Sequence, residues 1–248
     1  MRRKTGSTIT WVNFAAVAFL IFMLAFAIAL PSRMQGQSID NHYPKMAPVE
    51  QYLIADRNAE IALARSAAPE TISRDATILV LTRTGYVTAV EGKNGFVCSV
   101  DRGWMAGFND STHFWNPKIR GPLCFNPPAA RSVLPIHLKR TEWILSGLSK
   151  DQVIEKTKQA FANKEFPPLE PGGLTYMMSR QSLLDESFGH WIPHLMFYVP
   201  LTDPAAWGSD SPDSPVYLNT QFNGAPEPIT VFMVPVGKWS DGTLAPTW

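Results

Sequence analysis

The first chemical question is set by two histidines. His190 and His194 stand four residues apart in the stretch His190-Trp191-Ile192-Pro193-His194. Pro193 lacks a backbone donor and argues against a helix through the pair. On a strand, residues four apart point to the same face. Two imidazoles on one face offer two ligands to a divalent transition metal, and a catalytic zinc centre needs a third from the protein. That third ligand would come from His113, His137, Asp185 or Glu186, none at a motif spacing. His-Glu-x-x-His and Cys-x-x-Cys are both absent. The plainer expectation is a polar pair at a strand start, hydrogen-bonded to backbone or water.

A serine hydrolase would draw on Ser179 or Ser182 with His190 or His194. The sequence has neither a Gly-x-Ser-x-Gly elbow nor the Ser-x-x-Lys set with its partner motifs. Serines in Ser179-Arg180-Gln181-Ser182 read more simply as turn residues. The stretch Asp101–Ala129 is rich in aromatic residues, Trp104, Phe108, Phe114, Trp115 and Phe125, among Gly, Pro and Asn. It shows no regular period and is too aromatic to be disordered, so it is expected to be an ordered loop. Its aromatics could cover a sheet as a satellite cluster. With Lys118, Arg120 and Arg131 interleaved, Trp115 and its neighbours could instead line a pocket for a small anionic or amphipathic ligand.

Several of these stretches carry a resemblance: Gly95-Phe96-Val97-Cys98, Trp115-Asn116-Pro117-Lys118, Cys124-Phe125-Asn126-Pro127-Pro128-Ala129-Ala130-Arg131, Tyr176-Met177-Met178-Ser179 and His190 to Phe197. Over most of its length after the first 30 residues, the chain resembles a group of exported bacterial proteins with no assigned function. The resemblance implies a shared fold and export, and no activity. Similar sequences read His-Trp-His-Pro-His where this chain has Ile192 in the central place, which leaves two histidines where those have three.

Export is also readable from the residues. Arg2, Arg3 and Lys4 precede an uncharged apolar run, Phe14–Leu30, the order of an export signal. Basic residues stay on the cytoplasmic side, so the rest of the chain is expected outside. As a helix the run covers about 25 Å, short of a ~30 Å hydrocarbon core, and Ala27-Ile28-Ala29 has the small-x-small form of a cleavage site. Extended back to Ile9 it would reach about 33 Å and span a membrane. Residues 1–30 therefore read as a signal peptide or a single-span anchor, 31–46 as a polar tether, and 47–248 as one domain. The first 29 residues hold three of the 22 basic residues and none of the 21 acidic ones, so the remainder carries about −2 by simple counting. That excludes the basic footprint of nucleic-acid binding and leaves membrane association to the first segment alone. Cys98 and Cys124, the only two cysteines, are expected to pair in an oxidising compartment.

The elements that must position these residues follow from periodicity. A helix is expected over Val49–Ser66, ended by Pro69. Three antiparallel strands follow at Thr77–Thr82, Tyr86–Val90 and Phe96–Val100, joined by turns at Gly85 and Asn94-Gly95. Helices are expected at Ala129–Leu145, interrupted at Pro135, and at Lys150–Asn163, capped by Ser149. Strands return at Leu174–Met178, His190–Val199 and Ile229–Val236, with a short one near Val216–Leu218. This succession implies an α+β fold, an antiparallel sheet packed by helices on one side. The functional expectation is a ligand- or partner-binding domain of the cell envelope. The alternative is a metal-assisted hydrolase using His190 and His194.

Overall fold

The structure, a computed structural model, describes residues 43–110, 112–185, 192–209, 211–220 and 226–246. All of these fall within one compact unit, Asn41–Trp248. The expected targeting segment, residues 1–30, lies outside the described residues. Among the described residues no helix is long and apolar enough to cross a membrane.

Among the described residues eight strands form one sheet: β1 Thr77–Thr82, β2 Gly85–Val90, β3 Val97–Asp101, β4 Gly121–Phe125, β5 Leu174–Met177, β6 His194–Pro200, β7 Tyr217–Leu218 and β8 Ile229–Pro235. Their order is β2-β1-β3-β4-β5-β6-β8-β7. The α+β class holds, but the sheet is mixed: β1 and β3 run parallel, and the other neighbouring pairs are antiparallel. The expected meander of the first three strands is corrected in the same way. After the β1–β2 hairpin the chain does not turn back beside β2. It crosses the start of β1, where Lys93 N–H donates to the Asp75 carbonyl at 2.9 Å and Thr77 N–H to the Phe96 carbonyl at 2.9 Å. Gly92 permits the crossing, since a Cβ there would lie 2.1 Å from the Thr77 nitrogen. Asn94-Gly95 thus steers a crossover where a hairpin turn was expected.

The α-helices are α1 Arg57–Arg65, α2 Glu70–Ser73, α3 Pro127–Ser132, α4 Leu134–Leu145 and α5 Lys150–Ala162. The helix expected from Val49 begins at α1 instead, capped by Asp56, whose side chain accepts from Asn58 N–H. Only a 3-10 turn, Val49–Gln51, precedes it. Tertiary contacts override helix propensity between them: Tyr52 is fully buried, its hydroxyl donates to the Trp115 carbonyl at 2.7 Å, and its own carbonyl accepts from Arg102 Nε at 2.6 Å. Arg57, which interrupts the apolar face in the sequence, is the first helical residue. Ser149 and Gln152 form a full capping box on α5.

Helices cover both faces of the β1–β4 region, not one side as expected. Side chains alternate across a strand, and the two alternating sets pack against different helices. Ile78, Cys98, Val100 and Cys124 meet Ala64 of α1 with Ala67 and Ala68. Leu79, Leu123 and Phe125 meet Ala129 of α3 and Leu134 and Ile136 of α4. Strand β4 corrects a further expectation, because it lies inside the stretch Asp101–Ala129 that reads as a loop. All five of its residues are buried, but with Gly121 and Pro122 at its start it carries no recognisable strand signal.

Cys98 and Cys124 face each other across β3 and β4 and form a disulfide. On the chain-entropy account, a closed loop of this length stabilises by about 3.5 kcal/mol. We expect the Cys98→Ala/Cys124→Ala variant to lose roughly that much in urea unfolding without reductant. Equal stability of variant and wild type would show the loop to be held by packing alone.

Candidate functional site

One face of the sheet from β3 to β8 is the floor of a cavity of about 360 Å³. The register accounts for its lining. Asp101 pairs with Gly121, Ser99 with Leu123, Met177 with His194, Thr175 with Met196, Met196 with Met233 and Tyr198 with Val231. Cross-strand partners share a face, so Asp101, Gly121, Leu123, Met177, His194, Met196, Tyr198, Val231 and Met233 all stand on the cavity side. The size and the apolar floor suit a small-molecule site.

The roof is the loop between β3 and β4, folded back over α4. Gly103 allows the fold, since a Cβ there would lie 2.3 Å from the His113 carbonyl oxygen. Trp104 is fully buried and donates its Nε1–H to Thr141 Oγ1 of α4 at 3.1 Å. Phe114 and Trp115 pack edge to face, with ring centroids 4.6 Å apart. Both belong to a buried cluster with Leu81, Ile144 and Val153. The Arg140 guanidinium lies 4.0 Å from the Phe108 ring centroid, donates to the Trp104 and Ala106 carbonyls, and pairs with Glu227 at the cavity wall.

Polar groups reach the cavity from several elements. His137 of α4 shares a 2.9 Å hydrogen bond, Nδ1 to Asp101 Oδ2, at the end of β3, and its ring stands edge-on to Phe125. His113 on the roof loop holds Asp110 Oδ2 through Nδ1 at 2.7 Å, and its Nε2 lies 3.3 Å from Asp185 Oδ2. The hydrogen bond to Asp110 raises the His113 pKa above its ordinary value, against burial, with help from the charge of Asp185. Burial would raise the Asp110 carboxyl, but the His113 hydrogen bonds outweigh it and hold it low. His194 is buried, its Nδ1 2.6 Å from the Ile192 carbonyl, and burial pushes its pKa down to about 4. A neutral ring with Nδ1–H as donor fits that contact.

The residues singled out in the sequence are distributed differently. His194 lines the cavity, while His190 and Glu186 lie outside the described residues. Among the described residues, no group of three or more His, Cys, Asp and Glu is placed to hold a metal ion. His113 and His137, considered above as third ligands, are each engaged with a carboxylate instead. Of the proposed ligand-binding set, Trp115 is buried in the aromatic cluster, and Lys118 is exposed. Arg120 donates to the Pro117, Ile119 and Gln51 carbonyls, and burial, followed by the nearby Arg102, lowers its pKa to about 10. Arg131 forms an exposed pair with Glu170 at 2.6 Å. None of these four is among the described cavity-lining residues. Ser179 and Ser182 are turn residues: Ser182 Oγ donates to the Ser179 carbonyl, and Ser179 Oγ contacts Ser66 Oγ.

Sequence reasoning missed Asp101, Tyr198 and Glu227. For Tyr198 the signal was present in the alternation His194, Met196, Tyr198 along β6, and for Asp101 in its phase with Val97 and Ser99. For Glu227 there was none.

His194 sets a pH dependence. Its folded pKa lies below the ordinary 6.5, so the unfolded chain takes up a proton that the folded one refuses. The stability it permits is complete above about pH 6.5 and declines by about 3 kcal/mol toward pH 4. Asn can keep a donor near the Ile192 carbonyl without titrating. Urea unfolding at pH 7.5, 5.5 and 4.5 should therefore show a shallower acid decline in His194→Asn than in wild type. Parallel declines would remove His194 as the cause.

Comparison with protein-family models, with curated proteins and with solved structures gives no match to this chain.

Proposed function

We propose that this protein binds a small amphipathic molecule in the cavity between the β3–β8 face and the β3–β4 loop, and that it does so in the cell envelope. The observation that carries the reading is the cavity itself. Its floor is apolar, with Met177, Met196, Val231 and Met233, and its polar lining includes the hydrogen-bonded Asp101–His137 pair, with His194 on the β6 side. Pockets that select small molecules combine an apolar body with a few fixed polar groups in this way. Methionine side chains adapt to irregular shapes. The polar end supplies orientation, because the Asp101–His137 hydrogen bond ties a sheet end to a helix.

The envelope assignment rests on two supports of different kind. The Cys98–Cys124 disulfide fits an oxidising compartment. The basic cluster and apolar run at the start of the chain carry the export reading.

Two measurements test this function. The full chain titrated with 1-naphthalenemethanol, a neutral apolar probe, should show saturable one-site binding. Val231→Phe, which fills the floor, should weaken it about tenfold or more, a loss of roughly 1.4 kcal/mol. No saturable binding to wild type would end the cavity reading. Separately, a phosphatase that is active only outside the cytoplasm, fused to the C-terminus, should be active in cells. A fusion active only with a cytoplasmic reporter would remove the envelope assignment.

A further inference from the structure

We infer that the cavity's ligand is an organic cation, a primary amine on an apolar body, with Asp101 receiving the ammonium group. This rests on the cavity being a ligand site and adds the chemical class of what enters it.

Asp101 is 6 % exposed and stands on the cavity side of β3. Its two oxygens differ. Oδ2 is hydrogen-bonded to His137 Nδ1, whereas Oδ1 is buried and has no hydrogen-bond partner among the described residues. An ionised carboxylate offers about four acceptor sites, and an unsatisfied buried acceptor is costly. A donor carried by a bound molecule meets that need.

Charge favours an ammonium over a neutral hydroxyl. The one guanidinium of the described lining, Arg102, is already engaged with Glu60 at 2.7 Å and with the Tyr52 and Val100 carbonyls, and Arg140, behind the wall, pairs with the lining residue Glu227. His194, on the β6 side, is turned by Nδ1 to the Ile192 carbonyl. At the rim, one imidazole, His113, lies between two carboxylates, Asp110 and Asp185. A cation entering this field is attracted and an anion repelled. A hydroxyl and an ammonium both make a charge-assisted hydrogen bond to a carboxylate, but only the ammonium adds the Coulomb attraction of an opposite charge, which is strong away from bulk water. The methionines and valine of the floor take the apolar body.

The test compares three probes of one shape on the full chain by isothermal titration: 1-naphthylmethylamine, 1-naphthalenemethanol and 1-naphthoate. The amine should bind about tenfold or more tighter than the alcohol, and the carboxylate weakest. Asp101→Asn keeps the side-chain shape and removes the charge, so it should bring amine and alcohol to within a few-fold of each other. An alcohol that binds wild type as well as the amine overturns the cation proposal and leaves the cavity reading standing. Binding of none of the three overturns both. The wild-type ranking decides the question even if Asp101→Asn does not fold.

Discussion

Strand β3 lies beside β4 with Cys98 opposite Cys124, and the rest of the structure is arranged around that register. The covalent bond fixes one pair, and every other pair in the ladder follows from it. Because side chains alternate, putting the cysteines on the α1 face puts Ser99, Asp101, Leu123 and Gly121 on the other. A slip of one residue would turn Asp101 away from His137 and deliver Val100 to the cavity. The same register sets where the roof loop starts and ends. Asp101 and Gly121 are partners, so the loop between them leaves and re-enters the sheet at neighbouring points and must double back over the face it starts from.

Two buried ion pairs hold that loop, and their physics is one of placement more than of net stability. Arg102 and Glu60 are almost completely buried, and Glu60 Oε1 also accepts from the Leu81 N–H at 3.1 Å. Removing two charges from water is expensive, and replacing such a pair by apolar groups is often neutral. Breaking one partner alone typically costs about 3–5 kcal/mol. The arrangement therefore penalises misplacement: the loop start is right only when α1, β1 and β3 are all in position. Arg140 and Glu227 do the same between α4 and the segment leading into β8, with the Phe108 ring filling the space against the guanidinium.

The sequence exposes this fold unevenly, and the division follows range. Local signals are well expressed: the capped helix α5, the β1–β2 hairpin, the strands near residues 174, 194 and 229, and the short pairing near Tyr217 all lie close to where periodicity and turn chemistry put them. Expectations failed where a long-range contact outweighed a local one. Tyr52 is committed to Trp115 and Arg102, so the helix cannot begin at Val49. Gly92 lets the chain cross β1, so Asn94-Gly95 is not a hairpin turn. β4 is a strand because its neighbours make it one. The cavity shows the same split. His194 was visible as a chemical residue, but Asp101 becomes informative only once its strand phase and the position of α4 above it are known.

The cavity is left where the sheet outruns its helices. On this face α4 packs beside β2, and α3 beside β4 and β5, while β6 and β8 continue the sheet beyond them. Ile229, Val231, Met196 and Tyr198 still join the core cluster with Leu134 and Ile136, so the floor is continuous with the packed interior. The roof is made of loop, Met105 and Ile119 among its side chains, held near its start by the ion pairs, further along by the Phe114–Trp115 packing and at its end by the hydrogen bonds of Arg120. The methionines of the floor, Met177, Met196 and Met233, and Met105 of the roof can adjust to the apolar part of the proposed ligand. The polar end does not share that tolerance, because Asp101 is fixed by its strand and by His137. For the proposed ligand, selection falls to one buried carboxylate, and shape is left to packing.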